Sequence, residues 1–123
     1  MTKRYRSGFE NTFAQFLRMN HIPFEYESVR LKYTPKIRTY VPDFHLYEHS
    51  MYIETKGRFV ASDRAKHKLI QEQFPDLDIR FLFQDAKLKL YAGSDTTYGD
   101  WCKKNGFKYA EKEMPKEWLD QQI

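Results

Sequence analysis

The run from Val29 to Val41 constrains the fold of this chain more than any other stretch. Its odd positions Val29, Leu31, Tyr33, Pro35, Ile37, Thr39 and Val41 are mostly apolar, while Arg30, Lys32, Lys36 and Arg38 take even ones. That alternation is the period of a half-buried strand, and its parity survives Pro35. At about 3.3 Å per residue the ribbon would extend roughly 40 Å. A domain of 123 residues has a radius of gyration of only about 14 Å. The ribbon therefore either bends at Pro35 or leaves its own domain and crosses to a second subunit, as in a domain-swapped dimer. Periodicity alone favours the bend.

The length suits one domain over residues 1–123 with a core, and is too short for two ordinary ones. Aromatic residues at 17% supply core material, and 31% charged residues with a mean hydropathy of −0.81 describe a polar surface. No apolar run approaches the roughly 20 residues of a membrane helix. The basic N-terminus "MTKRYRSGFE" is followed by no apolar stretch of the kind a signal peptide carries, so a cytoplasmic setting is expected. Cys102 is the only cysteine, which rules out an internal disulfide or a cysteine zinc cluster.

The net charge of +4 is modest but unevenly spread. No acidic residue interrupts the basic residues between Ser28 and Pro42, and from Lys56 to Lys68 Asp63 alone opposes Arg58, Arg64, Lys66 and the two end lysines. Such a field fits a polyanion, most simply nucleic acid, and equally an ordinary solvated face.

Phe9, Phe13, Phe16 and Leu17 in "SGFENTFAQFLRMN" have helical spacing, with Ser7 as candidate N-cap. "SDRAKHKLIQEQF" predicts a second helix opened by Ser62 and Asp63, with Ala65, Leu69, Ile70 and Phe74 on its apolar side. "LDIRFLF" reads as a buried strand, "SDTTYGDWCKKNG" as a short helix ended by Gly106, and "PKEWLD" as a last helical turn behind Pro115.

"VPDFHL" and "MYIETK" read as two strands joined by the loop "YEHS". If Leu46 pairs with Met51, then residue 44 pairs with 53 and Asp43 falls opposite Glu54. Cross-strand Cβ atoms lie about 5 Å apart, where two like charges at an effective dielectric near 20 repel by roughly 3 kcal/mol. A divalent cation between the carboxylates would reverse that penalty, because hard oxygen ligands suit Mg²⁺ and Mn²⁺. Side-chain alternation sends Glu54 and Lys56 to one face, and Ile53 and Thr55 to the other. A lysine beside such a cation is the equipment of phosphodiester hydrolysis, where it orients water or meets charge developing on the phosphate. The bland alternative is an exposed strand edge with solubilising charges and Pro42 as gatekeeper.

Glu10 stands three residues after Ser7, and a capping box explains it without any catalytic role. His21, His45, His49 and His67 have no zinc-ligand spacing; His67, in "RAKHK", is the best placed to meet phosphate.

Proline-aspartate followed at a distance by Glu-Thr-Lys resembles the PD-(D/E)XK nuclease signature. More closely, "RSGFE", "FEYE", "PDF", "ETKG", "SDRAKHKLIQEQFPDLDIRFLF", "KLYAGS", "YGDWC" and "EW" resemble, in order, segments of phage endonuclease I, the Holliday-junction-resolving enzymes of T7-like phages. The resemblance runs from about Arg6 to Trp118. It implies an α/β fold with a restriction-endonuclease-like core, a mixed central sheet flanked by helices, and an intertwined, domain-swapped homodimer whose bridge strand covers about 29–41. It reverses the preference for a bend at Pro35.

By motif position, the resemblance implies that Glu10 is a helix-borne carboxylate ligand supplied from the other subunit. Asp43 would be shared between two Mg²⁺ ions, with Mn²⁺ able to substitute, Glu54 would be the second strand carboxylate, and Lys56 the catalytic lysine. Thr55 would offer its backbone carbonyl to the metal. The implied reaction is hydrolysis of branched DNA, especially four-way junctions, by paired nicks that leave 5′-phosphate and 3′-hydroxyl ends, in the cytoplasm of an infected host. Arg6, Arg30, Lys32, Lys36, Arg38, Arg58, Arg64, Lys66, His67 and Lys68 are the residues expected at the DNA. Two alternatives remain: a nuclease of the same core that cuts ordinary duplex or mismatched DNA, and a basic protein that binds DNA without cutting it.

Overall fold

A computed structural model describes residues 4–33 and 37–120. The elements run α1 (Gly8–Met19), β1 (Glu25–Tyr26), β2 (Leu31–Tyr33), β3 (Arg38–Tyr40), β4 (Phe44–Leu46), β5 (Met51–Lys56), α2 (Ala61–Gln73), β6 (Ile79–Phe83), α3 (Tyr98–Asn105), β7 (Lys108–Glu111) and α4 (Lys116–Asp120). Five strands form a sheet in the order β1-β4-β5-β6-β7, antiparallel from β1 to β5 and parallel from β5 to β7. The molecule is thus a mixed α/β structure with a mixed central sheet and helices, as the resemblance implies.

Strand alternation sorts the core onto two sides of that sheet. Met51, Ile53, Leu82 and Ala110 meet Phe13, Ala14 and Leu17 of α1 and Trp118 of α4. On the opposite side Phe81 and Phe83 meet Tyr98 and Cys102 of α3, and Ile79 meets Ile70 of α2. Among the described residues no helix is long and apolar enough to cross a membrane.

The register read from the "YEHS" loop is the register observed: Phe44 pairs with Ile53, His45 with Tyr52 and Leu46 with Met51. Ser7 caps α1 by accepting the Glu10 N–H at 3.1 Å. Gly106 ends α3 in the left-handed region at φ 78, where a side chain would be strained. The start of α2 differs from expectation. It begins at Ala61 with Val60 as N-cap and no side-chain cap, so Ser62 and Asp63 sit inside the first turn. β7 has no counterpart in the sequence reading.

The run 29–41 takes a form of its own. Leu31 pairs with Tyr40, Lys32 with Thr39 and Tyr33 with Arg38, all antiparallel, so in this single chain the two halves lie side by side rather than end to end. Pro35 and Lys36 lie outside the described residues.

Candidate active site

Three elements converge at the C-terminal half of β5. α1 brings Glu10, the segment before β4 brings Asp43, and β5 itself carries Glu54, Thr55 and Lys56. Glu10, Asp43, Glu54 and Thr55 are buried, and Lys56 is half-buried. A cleft of about 310 Å³ opens here, lined by Arg6, Ser7, Phe9, Glu10, Asp43, Thr55, Lys56, Gly57 and Gln84.

Each carboxylate has its own means of tolerating burial. Asp43 Oδ2 accepts two hydrogen bonds, from the Thr55 amide and the Thr55 hydroxyl, both at 2.9 Å. Its Oδ1 faces Arg6, whose Nη2 is 3.4 Å away. Glu10 does not close the capping box with its side chain; Oε1 accepts instead from the Arg6 amide at 2.8 Å and the Tyr26 hydroxyl at 2.9 Å. Glu54 accepts from the Tyr40 hydroxyl. Lys56 reaches Asp63 in the first turn of α2, with 3.6 Å between Nζ and Oδ1.

Burial pushes the Asp43 pKa above the ordinary carboxylate value; Glu10 adds to the rise, while the Thr55 donors and Lys56 oppose it. Glu54 is pushed up to about 8, first by burial and then by the Asp43 charge, against the pull of Lys56 and Tyr40. The repulsion anticipated for the hairpin is therefore real. In the metal-free protein near neutral pH it is relieved by a proton on Glu54.

This has a measurable consequence. A carboxyl whose pKa rises on folding contributes stability fully present below its unfolded value of 4.5, and lost as pH rises towards about 8. Buried His67, held well below its ordinary value of 6.5, acts in the opposite sense, since its unfolded form gains a proton as pH falls. From about pH 7 to about 8 the loss of the Glu54 contribution outweighs the residual gain from His67. In EDTA the free energy of unfolding should fall across that window, and Glu54→Gln should flatten the slope. Denaturant titrations at several pH values measure it; an equal slope in Glu54→Gln would contradict the assignment.

The arrangement also departs from the expected pairing. The carboxylates that could share an ion most directly are Glu10, Glu27 and Asp43, whose ligand atoms lie within 4.8 Å of one another. Glu54 is not one of that trio: it projects to the other face of β5, where its Oε1 accepts from Tyr40, whereas Asp43 turns to Thr55. Thr55 likewise acts here through its amide and hydroxyl, on Asp43. Glu27 escaped the sequence reading. Its backbone is at φ 50, an uncommon region for glutamate, its amide donates to the Asp43 carbonyl at 3.2 Å, and its Oε2 is 2.7 Å from Arg6 Nε. The alternation of Glu25 and Glu27 about Tyr26 in "FEYE" was the available signal. The donor set is all hard oxygen, which fits Mg²⁺ or Mn²⁺ and not a zinc site.

The basic residues divide. Arg38 and Lys66 line one depression of about 670 Å³ with Tyr33, Thr39, Ser62, Asp63, Ala65 and Leu69, and its Asp63 pairs with Lys56 of the cleft. Arg6 lines the cleft itself. Arg30, Lys32 and Arg58 are exposed away from these two hollows. Arg64 donates to the Phe59 carbonyl at 2.6 Å and Lys68 to Gln71 at 3.1 Å, so both are partly engaged in holding α2. His67 must be withdrawn as a phosphate contact. It is fully buried, edge-on to the rings of Tyr40, Phe81 and Phe107, because it lies one helical turn before Ile70 on the inward face.

Endonuclease I of Escherichia phage T7 is 44% identical over 94% of this chain and 78% of its own length. Endodeoxyribonuclease 1 of Enterobacteria phage T3 is 44% identical over 92% of this chain and 75% of its own. The family described as phage endonuclease I matches residues 1–123, and with relatives this similar over most of both lengths, the chain belongs to that family.

Proposed function

We propose that this protein is a Mg²⁺-dependent endodeoxyribonuclease with a PD-(D/E)XK core that resolves four-way junctions and other branched DNA. The observation that carries the reading is the burial of three carboxyl groups, Glu10, Asp43 and Glu54, around the C-terminal half of β5 beside Lys56. Glu10, Asp43, Glu54 and the Thr55 carbonyl would hold the metal, which supplies a polarised phosphate and a more acidic water. Asp43 is oriented for this by the two Thr55 donors. Lys56, drawn from Asp63, would lie against the scissile phosphate and meet the charge that develops as water attacks phosphorus. The P–O3′ bond then breaks, leaving a 5′-phosphate and a 3′-hydroxyl.

Paired nicks call for two sites, and we infer a homodimer formed by exchange across residues 29–41. Glu10 precedes that run and Asp43 follows it. If the β2–β3 pair opened into one strand, α1 of one protomer would meet β5 of its partner with the contacts already described. Light scattering at micromolar concentration should then give twice the chain mass of 15.0 kDa, and a monomeric mass would remove the exchange.

Arg38 and Lys66 are the cations best placed to follow a strand leaving the cleft. Replacing both with alanine should weaken junction binding and reduce the slope of log K against log salt by about 2, near 0.9 for each phosphate released. An unchanged slope would move the DNA path elsewhere.

The function itself is tested with a four-way junction and a linear duplex of equal length, each with Mg²⁺ or EDTA. Preferential, Mg²⁺-dependent cutting of the junction is expected. Equal cutting of both would leave a duplex nuclease, and binding without cutting would leave the non-enzymatic alternative.

A further inference from the structure

We propose that Tyr40 is a positioning residue for the nuclease reaction: its buried hydroxyl fixes the Glu54 carboxylate in the orientation from which it binds the divalent cation. The assignment deepens the nuclease reading and rests on it.

Tyr40 is 2% exposed and its hydroxyl donates to Glu54 Oε1. A phenol at this depth needs a partner, since an unpaired buried hydroxyl is strongly unfavourable. An apolar side chain would fill the same space in the core of Tyr33, Ile70 and Ile79 without that requirement. The hydroxyl is thus explained by Glu54, not by packing.

The ring is held from several directions. The His67 ring stands edge-on at 5.3 Å between centroids, and Lys66 Nζ lies 5.7 Å above the ring. The donor is therefore fixed before any ligand arrives, and its bond to Oε1 limits how the Glu54 carboxylate can turn. Partners behind a metal ligand set its orientation in this way, and their removal weakens metal affinity or activity by about 10- to 100-fold. Tyr40 also lies on the segment that would be rearranged on subunit exchange, so the orientation of Glu54 depends on that ribbon being docked.

The test uses Tyr40→Phe, which removes the hydroxyl and keeps the ring. Mn²⁺ binding without DNA is measured by isothermal titration calorimetry on the parent and the variant. The Mg²⁺ concentration for half-maximal junction cleavage, the melting temperature in EDTA and junction affinity in EDTA are measured alongside. The Mn²⁺ Kd and the half-maximal Mg²⁺ concentration should both rise by about 10-fold, while the variant still melts cooperatively and its junction affinity in EDTA stays at the parent's value. A variant that binds Mn²⁺ and responds to Mg²⁺ as the parent does would overturn the assignment alone. Failure to fold, or loss of melting temperature and junction affinity together, would also overturn it, by making the phenol a core group. A parent that neither binds Mn²⁺ nor cuts DNA would overturn the nuclease reading itself, and this assignment with it.

Discussion

Replacing Glu54 with alanine should lower the rate of junction cleavage by about 1,000-fold or more, while four-way junctions still bind in EDTA. Glu54 is buried at the C-terminal half of β5, on the α2 side of the sheet, and does not line the cleft or the basic depression. It therefore offers no surface to a DNA groove, and the role proposed for it is on the cation. Binding is read by gel shift and cleavage by single-turnover kinetics. Loss of both together would mean that the variant has unfolded or that Glu54 contacts DNA; undiminished cleavage would refute its role.

Lys56 gives the complementary result. Lys56→Met should reduce cleavage by about 100- to 1,000-fold at saturating Mg²⁺, yet leave Mn²⁺ affinity near the parent's. The ammonium opposes a nearby cation by charge repulsion, and it also favours ionised Asp43 and Glu54. Its removal relieves the first effect and forfeits the second, so the net change in metal affinity is small. The rate suffers because the group that meets charge on the phosphate is gone. A variant whose defect is cured by raising Mg²⁺ would place Lys56 in metal binding instead of the chemical step.

How much of this was legible in the chain follows from how local each signal is. The β4–β5 register could be read because the "YEHS" loop and the alternation of Phe44, Leu46, Met51 and Ile53 agree, and pairing then follows by counting. α3 was legible for the same reason, with Thr97 and Asp100 forming a capping box at one end and Gly106 ending the other. β7 was not, because in Lys108–Glu111 only Ala110 is buried and the strand exists through its parallel pairing with β6. His67 was misjudged from its basic neighbours, although its spacing from Ile70 already put it on the inward face.

Within the site, the motif residues could be named, but their partners could not. Thr55 holds Asp43 across twelve positions, Tyr26 reaches Glu10 across sixteen, and Tyr40 reaches Glu54 across fourteen. Contacts at such separations depend on the folded sheet, and a single sequence carries no local pattern for them. The cluster of Glu10, Glu27 and Asp43 belongs to the same class, being assembled where α1, the end of β1 and the entry to β4 meet.

The most direct measurement is the position of the cation. In a crystal of the protein grown with Mn²⁺, the anomalous difference map should show density about 2 Å from a carboxylate oxygen of Asp43, with Glu54 and the Thr55 carbonyl completing that site and Glu10 near a second. Arg6 should have withdrawn from Asp43, since its guanidinium and a divalent ion compete for Oδ1. Mn²⁺ bound elsewhere, with Asp43 still paired to Arg6 and Glu54 still turned to Tyr40 alone, would contradict the account.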